Sequence, residues 1–337
     1  MQSKRLKAVF AGHPERIHTV FKGWEATPLS DQIEILGDPF AGRFDEERVP
    51  VEWSQAEVIF GTWGMPVLTK SLLDQLPFLQ AVFYAAGSVR PFVTPASWER
   101  GIRIFSSARA NAIPVAEFTF AQVVLSLKAV PQIRVRSRAD WVAAEDKKAA
   151  LRGNFAVRVG LISFGIIARR VRELLRTCDH EVVVYDPFLT VAAAEEAGVS
   201  LVSLEELFAT CEVVSLHTPL LPSTRGLIRG HHLASMKAGA TFINTARGAV
   251  VNQAEMGAVL RERSDLTAIL DVLEQEPPVA EDPLFSLPNV WIYPHLAGAI
   301  GHEYQRFLLA MSETVEAYRD GRATPYEIMA SDMDLMA

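Results

Sequence analysis

Three side chains of types that can share one reaction stand directly after short apolar runs: Arg247 in "FINTARGAVVN", Glu276 in "ILDVLEQEPP" and His295 in "VWIYPHLAGAI". A guanidinium grips a carboxylate through a planar two-bond fork. An imidazole gives or takes a proton near neutral pH. A carboxylate beside that ring fixes its tautomer and favours the charged form. Each run reads as a buried strand, and an open α/β sheet has its ligand crevice at the carboxyl ends of its strands.

The stretch "GLISFGIIARRV", starting at Gly160, bears on what such a crevice would hold. It nearly spells the dinucleotide turn G-x-G-x-x-G, with Ser163, Gly165 and Ala168 at the three glycine positions. Gly165 is kept where backbone must approach a pyrophosphate most closely, and alanine is tolerated at the helix-packing third position. The turn follows the strand "VRVGLI" and opens a helix with Ile166, Ile167, Val171, Leu174 and Leu175 on one stripe. A second strand, "EVVVYDP", ends in Asp186, 21 residues after Gly165, the spacing at which an acid meets the adenosine ribose. Asp186 would repel a 2′-phosphate and no Arg follows it, which favours NAD over NADP.

These pieces need a scaffold, and the chain supplies two series of short apolar runs alternating with amphipathic stretches, the pattern of βα units and parallel sheets. The first comprises 7–11, 33–36, 58–61, 79–84 and 102–105; the second comprises 157–162, 182–185, 213–216, 241–244, 268–270 and 290–293. Between them "PVAEFTFAQVVLSLKAV" reads as a helix starting at Pro114 and apolar almost all round, so buried between domains or subunits. A last helical stretch, 301–318, follows the second series and could pack back on the first. The fold class expected is therefore α/β. Length fits two domains: 337 residues, 49% apolar and 22% charged.

A net charge of −7 argues against a general nucleic-acid binder, and the run "RVRSR" at 134–138 reads as a solvated face or oligomer contact. Cys178 and Cys211 form no disulfide framework or metal spacing. The N-terminal "KRLKAVFAG" is too polar for a signal or membrane segment, so a cytoplasmic protein without membrane attachment is expected. "HEYQR" puts Arg306 where H-E-x-x-H needs its second ligand, so no metal is expected. His231 and His232, adjacent on a helix, are read as surface residues pointing apart.

In the order and spacing of these motifs, with "SLHTPLLPSTRGLI" among them, the chain resembles the D-isomer-specific 2-hydroxyacid dehydrogenases from about Lys7 to Arg319. The resemblance implies two Rossmann-like or flavodoxin-like parallel-sheet domains. A substrate-binding domain of 1–108 and 300–337 would be interrupted by an NAD-binding domain of 109–299. It implies hydride transfer between NAD and a D-2-hydroxy or 2-keto acid. Arg247 would anchor the carboxylate, His295 would be the acid in reduction and the base in oxidation, and Glu276 would orient His295. Cofactor contacts would come from Ser163, Gly165, Ile166, Ile167, Asp186, His217, Thr218, Pro219, Thr224, Thr245, Ala246, Asp271 and Gly298, with Asp271 facing the carboxamide. Substrate contacts would come from Trp63, Ala86, Gly87 and Ser88.

Family members acting on phosphoglycerate carry an Arg in the loop matching "GTWGMP", which here offers Thr62, Trp63 and Met65, and many carry a regulatory domain after the point where this chain ends. An uncharged or partly apolar substituent on the keto acid is therefore expected. The over-apolar helix and the segment "VRSRADWVAAEDKKAALRG" point to a homodimer. A second class of function remains open at this point: an NAD(H)-responsive binding or sensor module without turnover, for which Ser163 and Ile166 would be the marks. A pure sensor, however, has no need of Arg247, Glu276 and His295 together.

Overall fold

The computed structural model describes residues 4–38, 49–133, 135–149, 151, 153–334 and 336. The chain forms two compact units, Met1–Asn111 with Ala299–Ala337, and Ala112–Gly298.

The first unit is built on β1 (Leu6–Ala11), β2 (Ile33–Ile35), β3 (Val58–Gly61), β4 (Ala81–Tyr84) and β5 (Arg103–Ser106). They pair in parallel in the order β5-β4-β3-β1-β2, and a short late strand, Glu327–Ile328, joins β5 antiparallel at the edge. Both faces are covered, so successive residues alternate between two cores. Phe10, Phe60, Phe83 and Phe105 point to one side, and Val9, Ile59, Val82 and Ile104 to the other. The register places the four phenylalanines in line across neighbouring strands. Phe60 stacks on Phe83 at 5.1 Å between centroids and Phe83 on Phe105 at 4.8 Å. The helix Gln305–Arg319 buries Phe307, Leu308, Met311 and Val315 against this aromatic face, which gives the last helical stretch its place.

The second unit carries β6 (Arg158–Ile162), β7 (Glu181–Tyr185), β8 (Ser200–Leu201), β9 (Val213–Leu216), β10 (Thr241–Asn244), β11 (Thr267–Leu270) and β12 (Val290–Ile292). Their order is β12-β11-β10-β9-β6-β7-β8, all parallel. Strand order reverses between β6 and β9, so the loops after these two strands flank a switch point, where an open α/β sheet binds its ligand. Val159, Leu161, Val184 and Ile243 fill one core, and Val183, Val214, Phe242 and Leu270 the other.

Two expectations are corrected. The helix assigned to start at Pro114 starts at Ala108 and runs to Leu127, with Pro114 inside it. Ser106 Oγ accepts the Ala108 N–H at 3.1 Å and so starts the helix early, leaving Pro114 to remove one internal rung. By length and composition this helix could cross a membrane, but 56% of its apolar window is buried within the protein. His231 and His232 do not point apart: their rings lie 4.0 Å between centroids, and His232 is buried against Phe208. The helix Gly230–Ala234 is so short that His232 sits in its first turn, where Nδ1 accepts the Arg229 N–H at 3.0 Å. Of the basic run, Arg134 lies outside the described residues, and Arg136 and Arg138 are exposed.

Candidate active site

β10 ends in a turn held by its own last residue. Asn244 is buried; its Oδ1 accepts the Ala246 N–H at 3.0 Å and its Nδ2 donates to the Arg247 carbonyl at 3.2 Å. Arg247, fixed at its backbone, turns Nη1 onto the Ala246 carbonyl at 2.6 Å. Burial weighs against the charge on its guanidinium, and the Glu276 carboxylate works in the opposite sense. Thr245 is buried, with its hydroxyl 2.9 Å from that of Thr119.

β11 and β12 deliver the other two members of the set. Glu276 Oε2 lies 2.7 Å from His295 Nδ1, while Oε1 accepts the Leu273 N–H at 3.1 Å. The carboxylate is thereby oriented by the backbone and in turn orients the ring. His295 itself has φ of 53°, the left-handed region that non-glycine residues seldom occupy. Its N–H donates to the Asp271 carbonyl at 2.9 Å, and the Asp271 carboxylate accepts the Leu296 and Ala297 N–H groups at 2.8 and 3.1 Å. Three bonds to one residue hold this turn. Burial pushes the Asp271 carboxyl up from its ordinary value, while the Leu296 and Ala297 amides pull it down. Sequence reasoning assigned Asp271 to the cofactor alone; its hold on the histidine loop left no signal in the sequence.

The glycine turn follows β6. Ser163 takes φ of 69°, the conformation for which the first glycine is normally needed, with its hydroxyl 2.8 Å from that of Thr218. A Cβ added at Gly165 would meet nothing within 4 Å, so the backbone there is open to close approach. Gly165 caps the helix Ile166–Leu175. Among the described residues, the N–H groups of Gly165, Ile166 and Ile167 have no internal acceptor. Free N–H groups at a helix start suit a pyrophosphate. Asp186 accepts the Phe164 N–H at 2.7 Å through Oδ2 and the Phe188 N–H at 2.8 Å through Oδ1, so it is locked at the mouth of this turn. After β9, the half-buried His217 sets Nε2 3.0 Å from the Ser215 hydroxyl, and burial pushes its imidazole down to about 4. Thr224 Oγ1 donates to the Pro219 carbonyl at 2.6 Å and closes the Thr218–Pro219 loop. An open glycine, free N–H groups at a helix start and a fixed carboxylate fit a dinucleotide.

On the first unit, the loops after β3 and β4 carry the residues assigned to substrate. Trp63 is half-buried, packed on Tyr304 and Phe307 with the Arg16 guanidinium 5.7 Å from its ring centroid. Ala86 is buried and Gly87 half-buried; Ser106 Oγ donates to the Gly87 carbonyl at 2.6 Å. Ser88 Oγ accepts the Arg90 N–H at 3.3 Å.

Residues 120–297 match the NAD binding domain of the D-isomer specific 2-hydroxyacid dehydrogenases. The chain is 31% identical over 282 residues to D-3-phosphoglycerate dehydrogenase of Methanocaldococcus jannaschii, covering 82% of this chain and 53% of that protein. It is 33% identical over 240 residues to the putative 2-hydroxyacid dehydrogenase YoaD of Bacillus subtilis, covering 69% of this chain and 68% of that one. The chain thus spans about half the length of several curated relatives that it matches. Among solved structures, the NAD-complexed D-isomer specific 2-hydroxyacid dehydrogenase of Lactobacillus delbrueckii ssp. bulgaricus superposes with a TM-score of 0.74 at 20% identity, covering 96% of this chain and 99% of that one. The chain belongs to the D-isomer-specific 2-hydroxyacid dehydrogenase family, and the match to its NAD binding domain, residues 120–297, falls within the second unit.

Proposed function

We propose that the protein is an NAD-dependent oxidoreductase that interconverts a D-2-hydroxy acid and its 2-keto acid. The observation that carries this reading is the Glu276–His295 pair at 2.7 Å, in the same unit as Arg247 and the dinucleotide turn. NADH, held at the Gly165 turn and beside Asp186, would supply a hydride to the carbonyl carbon. Arg247 fixes the substrate carboxylate through its fork, which sets the carbonyl in a reactive orientation. Glu276 occupies Nδ1 of His295, leaving Nε2 to give a proton to the carbonyl oxygen; in the reverse direction Nε2 takes the hydroxyl proton. Asp186 supports NAD over NADP, since its carboxylate is pinned by two amides and cannot swing away from a 2′-phosphate.

The substrate proposed carries an uncharged or partly apolar substituent. What supports this is the loop after β3, whose side chains are the buried Thr62 and Met65 and the half-buried Trp63 rather than an arginine. A homodimer is proposed from the exposed apolar residues gathered on one stretch of the second unit: Val130, Val135, Trp141, Val142 and Phe155. A monomeric mass by light scattering at micromolar concentration would contradict it.

The deciding experiment follows NADH consumption by the purified protein against a panel of 2-keto acids, phosphorylated members included. Reduction of apolar keto acids is expected, and His295→Gln should cut kcat by roughly 10²–10⁴-fold while NADH binding stays intact. A His295→Gln protein that reduces its best keto acid at the wild-type rate would refute His295 as the acid, whereas a wild type that binds NADH and reduces no member of the panel would restore the NAD(H)-responsive binding module as the reading.

A further inference from the structure

We infer that Gly248 is a positioning residue for the proposed reaction: it is the point at which the loop bearing Arg247 is pressed, backbone to backbone, onto the loop bearing Glu276. The inference rests on the functional reading above. A Cβ built on Gly248 would lie within 3 Å of three backbone atoms, the carbonyl carbon and oxygen of Leu273 and the nitrogen of Glu274. No rotamer change relieves such a collision. The glycine is not there for its conformational freedom, since its φ lies outside the left-handed region. It is there for the space, and it is buried directly beside Arg247.

The two loops are otherwise tied down. Asn244 holds the Arg247 backbone on one side. On the other, the Leu273 N–H binds Glu276 Oε1 and the Glu274 N–H binds Gln253 Oε1 at 2.9 Å. A side chain at 248 therefore has to move one loop off the other by an ångström or more. The loop that yields is the one bearing the carboxylate anchor, Arg247, because the 273–274 backbone opposite it is held by Glu276 Oε1 and Gln253 Oε1. Displacements of about 1 Å in groups that orient substrate cost on the order of 10²-fold in rate.

The test compares Gly248→Ala, Arg247→Ala and the double variant in the intact protein, with Gly257→Ala as the control. At Gly257 an added Cβ would meet only the end of the Leu284 side chain, at 3.3 Å, so activity should be unchanged. Gly248→Ala should lower kcat/KM for the best keto acid by roughly 10²-fold, mainly through KM, and weaken oxamate binding to the NADH-loaded protein by calorimetry. NADH affinity should stay near wild type, and the melting temperature should fall without loss of the folded state, since the loop shift strains a buried contact. Combined with Arg247→Ala, it should add no further loss in kcat/KM, because its effect runs through the placement of that arginine. Full additivity in the double variant overturns the inference, as does wild-type KM in Gly248→Ala. A Gly248→Ala chain that fails to fold also overturns it, since the glycine would then serve the fold. If the wild-type protein turns over while Gly248→Ala matches it, only this inference falls. A wild type that neither reduces a keto acid nor binds oxamate removes the functional reading and this inference with it.

Discussion

Glu276 divides one carboxylate between two tasks, taking the Leu273 N–H with Oε1 and facing His295 Nδ1 with Oε2. The contact at Nδ1 fixes which way the ring faces, so Glu276→Gln should lower kcat for reduction by less than His295→Gln does and leave NADH affinity unchanged. A loss as large as that of His295→Gln would show that Glu276 does more than orient the ring. Asp186 gives a second prediction. Its carboxylate takes the Phe164 and Phe188 amides, so Asp186→Ala removes both the repulsion of a 2′-phosphate and the lock on the turn. NADPH should gain on NADH in calorimetric titrations while NADH itself binds more weakly; an unchanged ratio would refute the role. Arg247, Glu276 and His295 were legible in the sequence because their types are chemically distinctive and each follows a readable strand. Asp271 as clamp of the histidine loop and Gly248 as a close-approach point were not, because both depend on which backbone atoms a distant loop presents.

The elements were legible where burial dictates them. Parallel strands covered on both faces are near-continuous apolar runs, and 58–61, 213–216 and 241–244 were read with the bounds the structure gives. Ends set by individual side-chain hydrogen bonds to the backbone were not. The Ser106 hydroxyl that starts the long helix at Ala108 reaches it through the turn of the chain, and local preference for proline in a first turn pointed to Pro114 instead. His232 likewise looked like a surface residue until the brevity of its helix placed its ring on Phe208. At this scale the in-register phenylalanines of the first unit predict a measurable stability. Phe83 stacks on both Phe60 and Phe105 at the centre of the row, so Phe83→Ala should cost about 3–5 kcal/mol of that unit's stability in denaturant unfolding. A loss under 1 kcal/mol would mean that the row collapses over the gap and contributes little.

Across the whole molecule, the two units have separate cores and can unfold in separate steps, so pH effects on stability belong to the unit that contains the titrating group. His217, at the end of β9 in the second unit, has its imidazole pushed down to about 4 by burial. In the unfolded chain a histidine takes up its proton near pH 6.5. Between these values the unfolded chain binds more protons than the folded one, so stability rises with pH across the window and is lost as pH falls through it. Below about 4 both states are protonated and the contribution is flat; above about 6.5 both are neutral and it is fully present. The shift corresponds to up to about 3 kcal/mol at this one group. His180 and His232 are also pushed down by burial, so the informative quantity is the difference between wild type and a His217→Gln variant. Glutamine can still reach the Ser215 hydroxyl but cannot acquire the proton. Followed by urea unfolding from pH 7.5 to 4, the second unit's transition should weaken more steeply in wild type than in His217→Gln, so that wild type loses stability relative to the variant as pH falls. Parallel curves across the whole range would show that the imidazole does not titrate differently in the folded state, and that the acid sensitivity of this unit comes from elsewhere.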